Sequence, residues 1–87
     1  MGRYRLVFRK SVARDLGRIP NHDLKRILVT LESLSEDPRP VGIEKLSGNE
    51  RYRVRQGNYR IIYEINDNEV VVVVVKVGHR KDIYRCS

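Results

Sequence analysis

The chain has no tryptophan, one phenylalanine, one methionine, three prolines and one cysteine in 87 residues. A single cysteine, Cys86, excludes an internal disulfide, so apolar burial must hold the fold together, and a reducing compartment fits. The longest apolar run, Val70–Val75, falls far short of the ~20 residues needed to cross a bilayer. No apolar stretch stands near the N-terminus. A cytoplasmic location with no membrane partner is expected. The two histidines, His22 and His79, lie far apart in sequence, and the carboxylates are scattered. They form no recognisable metal set. A glycine-rich phosphate loop, a nucleophile elbow and a zinc signature are also missing. The expectation is therefore no metal and no other cofactor.

Charge of one sign is abundant. The net charge is +7, with 18 lysines and arginines against 11 acids. Residues 1–18 carry +5, residues 19–50 carry −2 and residues 51–87 carry +4. If both basic ends join one sheet, they make one positive face that attracts nucleic acid or an acidic protein. A mass of 10.2 kDa suffices for one domain, residues 1–87, with one modest core. A cleft between domains is excluded, so any site lies on a sheet surface or against a partner.

The apolar pattern predicts an α+β fold. Tyr4, Leu6 and Phe8 alternate with Arg3, Arg5 and Val7, as in a strand with one apolar face. Ser11 is a candidate cap for a short helix that buries Val12, Leu16 and Ile19. Gly17 and Pro20 stop it. Asn21 or Asp23 opens a second helix, whose stripe is Leu24, Ile27, Leu28, Leu31 and Leu34. That helix ends near Ser35–Asp37, and His22 at its start faces water. The two helices are expected to be antiparallel and packed on a sheet. Pro38 to Asn49 reads as connection.

A hairpin is predicted next, Arg51–Gln56 and Tyr59–Ile65, around a type II′ turn at Gly57-Asn58. A two-residue loop sets Gln56 opposite Tyr59, Arg55 opposite Arg60, Val54 opposite Ile61 and Arg53 opposite Ile62. Arg53, Arg55 and Arg60 then share one face. Tyr52, Val54, Ile61 and Tyr63 point to the core, and Tyr4 joins them as a structural tyrosine. A bulge or longer loop would send Arg60 to the other side. Asp67-Asn68 makes a turn, and Val70–Val75 is a central strand. Ile83-Tyr84 is a candidate short edge element. The expected order is a strand, two helices and a three- to four-stranded antiparallel sheet packed on the helices.

Arg55 opposite Arg60 is a like-charge pair, which costs a few tenths of a kcal/mol or more across a sheet. Glu64 on the same face is one way to neutralise it. A bound anion is the other, because the guanidinium fork donates paired hydrogen bonds and stays protonated. RNA can be cleaved without metal when its own 2′-OH attacks the adjacent phosphorus. That step needs a proton acceptor, positive charge at the phosphorane and help for the leaving 5′ oxygen. Arginine supplies charge but is a poor base, its pKa exceeding ~12. Tyr84, ordinarily near ~10, needs positive charge such as Arg80 to act as base; otherwise it is a stacking platform or a packed edge residue. His79 has the intrinsic pKa closest to neutrality and is a candidate assistant. Arg51, Lys81 and Arg85 are candidates to extend an RNA groove.

Three runs occur in order: Tyr52-Arg53-Val54-Arg55, Tyr59-Arg60-Ile61-Ile62-Tyr63, and Val77-Gly78-His79-Arg80-Lys81-Asp82-Ile83-Tyr84. Together they resemble the RelE/ParE toxin superfamily, closest to its RelE branch, and the resemblance covers almost the whole chain. It implies a toxin of a type II toxin–antitoxin system, held by a cognate antitoxin. RelE-type members cleave messenger RNA in the ribosomal A site by metal-independent 2′-OH attack, leaving a 2′,3′-cyclic phosphate and a 5′-OH. By resemblance, Arg53 and Arg55 match the paired basic positions of the hairpin, where lysines are common and one is proposed as base. Arg60 matches the arginine that stabilises the transition state. Arg80 matches the arginine at the scissile phosphate and leaving group, and Tyr84 the tyrosine that stacks on the nucleotide. Expected partners are the antitoxin, the ribosome and messenger RNA, with operator DNA engaged mainly through the antitoxin. Two other functions share the fold: ParE-like inhibition of DNA gyrase, and an inactive remnant that binds nucleic acid or antitoxin.

Overall fold

Five strands join into one sheet, ordered β1-β5-β4-β3-β2. The computed structural model describes residues 3–46 and 50–82. The elements are β1 (Arg5–Phe8), α1 (Lys10–Gly17), α2 (Asn21–Glu36), β2 (Glu44–Leu46), β3 (Arg51–Gln56), β4 (Tyr59–Asn66) and β5 (Val71–His79). β1 pairs in parallel with β5, Leu6 opposite Val72. The remaining pairs are antiparallel.

The helices follow the predicted stripes, with local corrections. Ser11 is not the cap of α1: Arg9 holds that place, without a side-chain cap bond. Asn21 is the first residue of α2 and Pro20 its cap, because proline has no N–H to leave unpaired. Ile27, Leu31 and Leu34 are buried against the sheet, whereas Leu28 stays 47% exposed on the flank. Val12 and Ile19 are buried, and Leu16 packs beside them.

The segment read as connection contains a strand. β2 pairs with β3, Glu44 opposite Arg53 and Lys45 opposite Tyr52. Three residues at a sheet edge carry no usable periodicity, and an edge strand needs only one partner. Two side chains tie down the segment before it. Tyr63 O–H donates to Pro38 O at 2.8 Å in the core. Arg39 donates to both carboxylate oxygens of Asp67, at 3.2 and 2.9 Å. Tyr4 O–H donates to the same carboxylate at 2.8 Å.

The hairpin has the predicted register: Gln56 opposite Tyr59, Arg55 opposite Arg60, Val54 opposite Ile61, Arg53 opposite Ile62. Gly57 takes φ 60°, as the first central residue of a type II′ turn requires. The valine run is central as predicted, but the strand starts at Val71. Val70 sits in the preceding turn at φ 56°, a strained value for a β-branched residue. A bulge interrupts the β4–β5 ladder: Ile62 faces Lys76 while Tyr63 faces Val74, leaving Val75 unmatched. Beyond Val75 the alternation is inverted. Val77 therefore joins Val72 and Val74 in the core. The candidate edge element Ile83-Tyr84 lies outside the described residues.

Two expectations follow. Tyr63→Phe strands the Pro38 carbonyl in the core and lowers stability by about 1 kcal/mol, read from the urea midpoint. Tyr52→Phe, whose hydroxyl donates to Glu50 in a part-exposed setting, costs less. Acid should also loosen the Asp67 clasp. Hydrogen bonds from Arg39 first, then Tyr4, hold the Asp67 carboxyl below its usual range. A lowered folded value means that this stability is complete above the unfolded aspartate range, ~3.9. It is lost as pH falls through the folded value. Asp67→Asn should be less stable than wild type at pH 7 and lose less between about pH 4 and 2; equal acid slopes would remove Asp67 from this role.

Candidate functional site

Alternation along β3 and β4 sends one set of residues under the helices and the other to the uncovered face. Tyr52, Ile61 and Tyr63 belong to the buried set. Arg51, Arg53 and Arg55 belong to the uncovered one, opposite Glu64, Ile62 and Arg60. The structure thus brings four of the predicted arginines onto one surface.

That surface is not uniformly charged. At one end Arg51 grips Glu64, with Nε to Oε2 at 2.9 Å and Nη2 to Oε2 at 2.8 Å. Arg9 approaches the other oxygen of Glu64 at 3.7 Å. The expected neutralisation of the Arg55–Arg60 pair by Glu64 is therefore corrected: Glu64 lies opposite Arg51, several residues along the strand. In the middle, Arg53 donates from Nη2 to Glu44 Oε1 at 2.9 Å. Its side chain is only 17% exposed. The Glu44 carboxyl is held below its usual range by the hydrogen bond and charge of Arg53, with smaller contributions from Arg55 and Arg60.

At the far end lies the Gly57-Asn58 turn. Arg60 is 7% exposed. Its Nη1 donates to Gly57 O at 3.1 Å and to Tyr59 O at 3.0 Å. Carbonyl oxygens thus stand in for the water lost by a buried cation. The backbone N–H of Arg80 donates to Asn58 O at 2.8 Å, just past the end of β5. Arg60 and Arg80, twenty positions apart in sequence, are thereby fastened to adjacent carbonyls of one turn. Arg55 and Arg80 are exposed. Among the described residues, no carboxylate forms an ion pair with Arg55, Arg60 or Arg80. Gly78, the β5 residue opposite Arg60, adds no side chain to this end of the face.

The other candidates fall elsewhere. His79 pairs with Tyr59, which packs on the helix side, and their rings meet edge to face at 5.5 Å. Its Nδ1 accepts the Lys81 N–H at 3.3 Å. His79 therefore lies beside the arginine cluster, across the sheet from it. Lys81 is exposed next to Arg80. Tyr84 and Arg85 lie outside the described residues. Among the described residues, no three His, Cys, Asp or Glu side chains converge as a metal site. No helix among them is long and apolar enough to cross a membrane. The sequence reading missed Glu44 and Arg9. The acid sits in a three-residue edge strand, and Arg9 meets Glu64 only because β5 lies between their strands.

This end of the sheet can take an anion. An oxyanion between Arg55 and Arg60 would turn a repulsive cross-strand pair into two attractive contacts. The held guanidinium of Arg60 needs little reorganisation to receive it.

Comparison with known proteins agrees with this architecture. A family profile described as the ParE toxin of the type II toxin–antitoxin system parDE matches residues 2–84. Toxin RelG of Mycobacterium tuberculosis is 35% identical over 86 residues, covering 94% of this chain and 97% of the relative. The messenger RNA interferase toxin RelE of Escherichia coli is 35% identical over 71 residues, covering 78% of this chain and 70% of the relative. The archaeal RelE chain solved in complex with RelB, from Pyrococcus horikoshii, superposes with a TM-score of 0.81 at 31% identity, covering 92% of this chain and 97% of that one. The chain belongs to the RelE/ParE toxin superfamily, and its named relatives place it with the RelE branch.

Proposed function

We propose that this protein is the toxin of a type II toxin–antitoxin pair and that it inhibits translation by cutting messenger RNA in the ribosomal A site. The observation that carries this reading is the junction of Arg55, Arg60 and Arg80 at one turn without a carboxylate partner among the described residues. The 2′-OH of the message attacks the adjacent phosphorus, forming the O2′–P bond. The P–O5′ bond then breaks, leaving a 2′,3′-cyclic phosphate on one fragment and a 5′-OH on the other. Because the nucleophile belongs to the substrate, the protein has to supply charge and proton transfer. Arg60 stabilises the phosphorane, and Arg80 serves the scissile phosphate and the departing 5′ oxygen. Arg53 and Arg55 hold the phosphodiester on the strand face. Tyr84 stacks on a base. Arg51, Lys81 and Arg85 extend the contact to flanking phosphates.

The antitoxin is the natural partner of so basic a surface, as the archaeal relative solved with RelB suggests. An acidic segment laid over the Arg55–Arg60 end would both bind tightly and block RNA. Operator DNA would be reached through the antitoxin. A second reading, gyrase inhibition, draws on the ParE profile match alone.

The test is a translating extract with end-mapping of messenger RNA. Wild type should cut ribosome-bound messages and leave cyclic phosphate ends. Arg80→Ala should reduce cutting by roughly 10²–10³-fold while antitoxin binding and the melting temperature hold. Arg60→Lys, which keeps the charge but not the fork on the turn carbonyls, should also lose activity. Intact messages together with gyrase inhibition would replace this function with the ParE-like one. Undiminished cutting by Arg80→Ala would remove Arg80 from the chemistry.

A further inference from the structure

β5 ends at His79, and the backbone turns helical at Arg80 with no loop between them. The first N–H groups of a helical turn have no partner within it. Two of them are taken up from outside. The Arg80 N–H donates to Asn58 O at 2.8 Å, and the Lys81 N–H donates to His79 Nδ1 at 3.3 Å. His79 thus stands where an N-cap residue stands: strand backbone ahead of the helix, with a side-chain acceptor for the second helical N–H. Its ring is also held from the sheet. His79 lies opposite Tyr59 in the ladder, and the two rings meet at 78° with centroids 5.5 Å apart. Tyr59 in turn packs against the buried core.

We propose that His79 is a positioning residue for Arg80, a neutral imidazole that starts the helical turn carrying that arginine. The inference rests on the RNA cleavage proposed above and adds a residue that acts through Arg80, not on the message. The Asn58 bond fixes where the Arg80 N–H sits. The His79 bond fixes the direction in which the chain leaves it. Side-chain rotamers follow backbone φ and ψ, so the second tie sets where the guanidinium points. A misplacement of about 1 Å in such a group costs up to ~10²-fold in rate. Only an unprotonated Nδ1 can accept the Lys81 N–H, because an imidazolium has two donors and no acceptor. Its charge would also adjoin Arg80 and Lys81. Imidazoles as a class take up their proton between about pH 5 and 8. The ionisable groups around this one are Asp15 and Arg18 of α1, Tyr59 of β4, Lys76 on its own strand and Asp82 beyond it. Asp15 is already engaged, accepting the Val77 N–H through Oδ2 at 3.3 Å. Acid therefore releases the turn, and cutting weakens as His79 takes a proton.

Two replacements in the full chain separate the acceptor from the ring. His79→Asn keeps a cap acceptor that does not titrate. His79→Phe keeps a ring on Tyr59 without the acceptor. Single-turnover cutting of ribosome-bound messages is followed between about pH 6 and 8, with toxin concentration varied and melting temperatures checked. His79→Phe should cut about 10-fold more slowly at saturation, with the half-saturating concentration unchanged. His79→Asn should stay within about 2-fold of wild type near pH 8 and overtake it near pH 6. Equal cutting by wild type and His79→Phe, or one pH profile shared by wild type and His79→Asn, would overturn the role. So would a loss of about 10²-fold or more in His79→Asn, which would mark direct proton transfer. Nitrogen-15 NMR of the free chain tests the cap without RNA. Neutral His79 should carry its proton on Nε2, and a proton on Nδ1 would exclude the cap. A wild-type chain that cuts no message would sink the nuclease reading, and the position of the imidazole proton would still decide the cap.

Discussion

Burial beneath the two helices decides which way the side chains of the sheet point. Ile61 and Tyr63 are fully buried and Val77 is 1% exposed. Each such apolar side chain contributes roughly 1.5–3 kcal/mol when it leaves water. Two arginines facing each other across strands cost at most about 1 kcal/mol. The hydrophobic register therefore wins, and it carries Arg55 and Arg60 together onto the uncovered face whether or not they repel. The arginine arrangement is a consequence of core packing and strand alternation acting on a sequence that places arginine at every second position of β3.

Charge along that face is graded by its acids. Glu64 is shared by Arg51 and Arg9, and Glu44 is held by Arg53. Exposed ion pairs of this kind add little stability, roughly 0–1 kcal/mol each. Their larger effect is to concentrate unbalanced positive charge at the Gly57-Asn58 end. An approaching polyanion is drawn there instead of spreading over the sheet. The geometry at that end is also the more rigid. Arg60 is buried and tied to two carbonyls, so one guanidinium is held in place before any ligand arrives, while Arg55 and Arg80 remain exposed beside it.

The bulge at Val75 sets which β5 residues stand beside this charged end. A regular ladder continued through Val75 would set Ile62 opposite Val75, Arg60 opposite Val77 and Tyr59 opposite Gly78. Val77 would then leave the core for the uncovered face, and His79 would pass beyond the end of β4. With the bulge, the residue facing Arg60 has no side chain, and His79 packs on Tyr59 at the helix side of the sheet. One irregular residue in β5 thus keeps Val77 in the core and places a glycine opposite Arg60.

Much of this could be read from the residues alone. The type II′ hairpin, its register and the shared face of Arg53, Arg55 and Arg60 follow from Gly57 and strict alternation, both local. The helix stripe Ile27, Leu31 and Leu34 is local too. Other features were out of reach because they depend on distant segments meeting. β2 shows itself only by pairing with β3, Glu64 finds Arg9 through the β1-β5-β4 order, and the Val75 bulge follows from the demand that Val74 and Val77 both enter the core. Alternation and turn chemistry act between neighbours, so the amino-acid order determined them unaided. The attachment of the Arg80 backbone to the turn that holds Arg60, and the side on which His79 emerges, were decided only when the whole sheet closed against its helices.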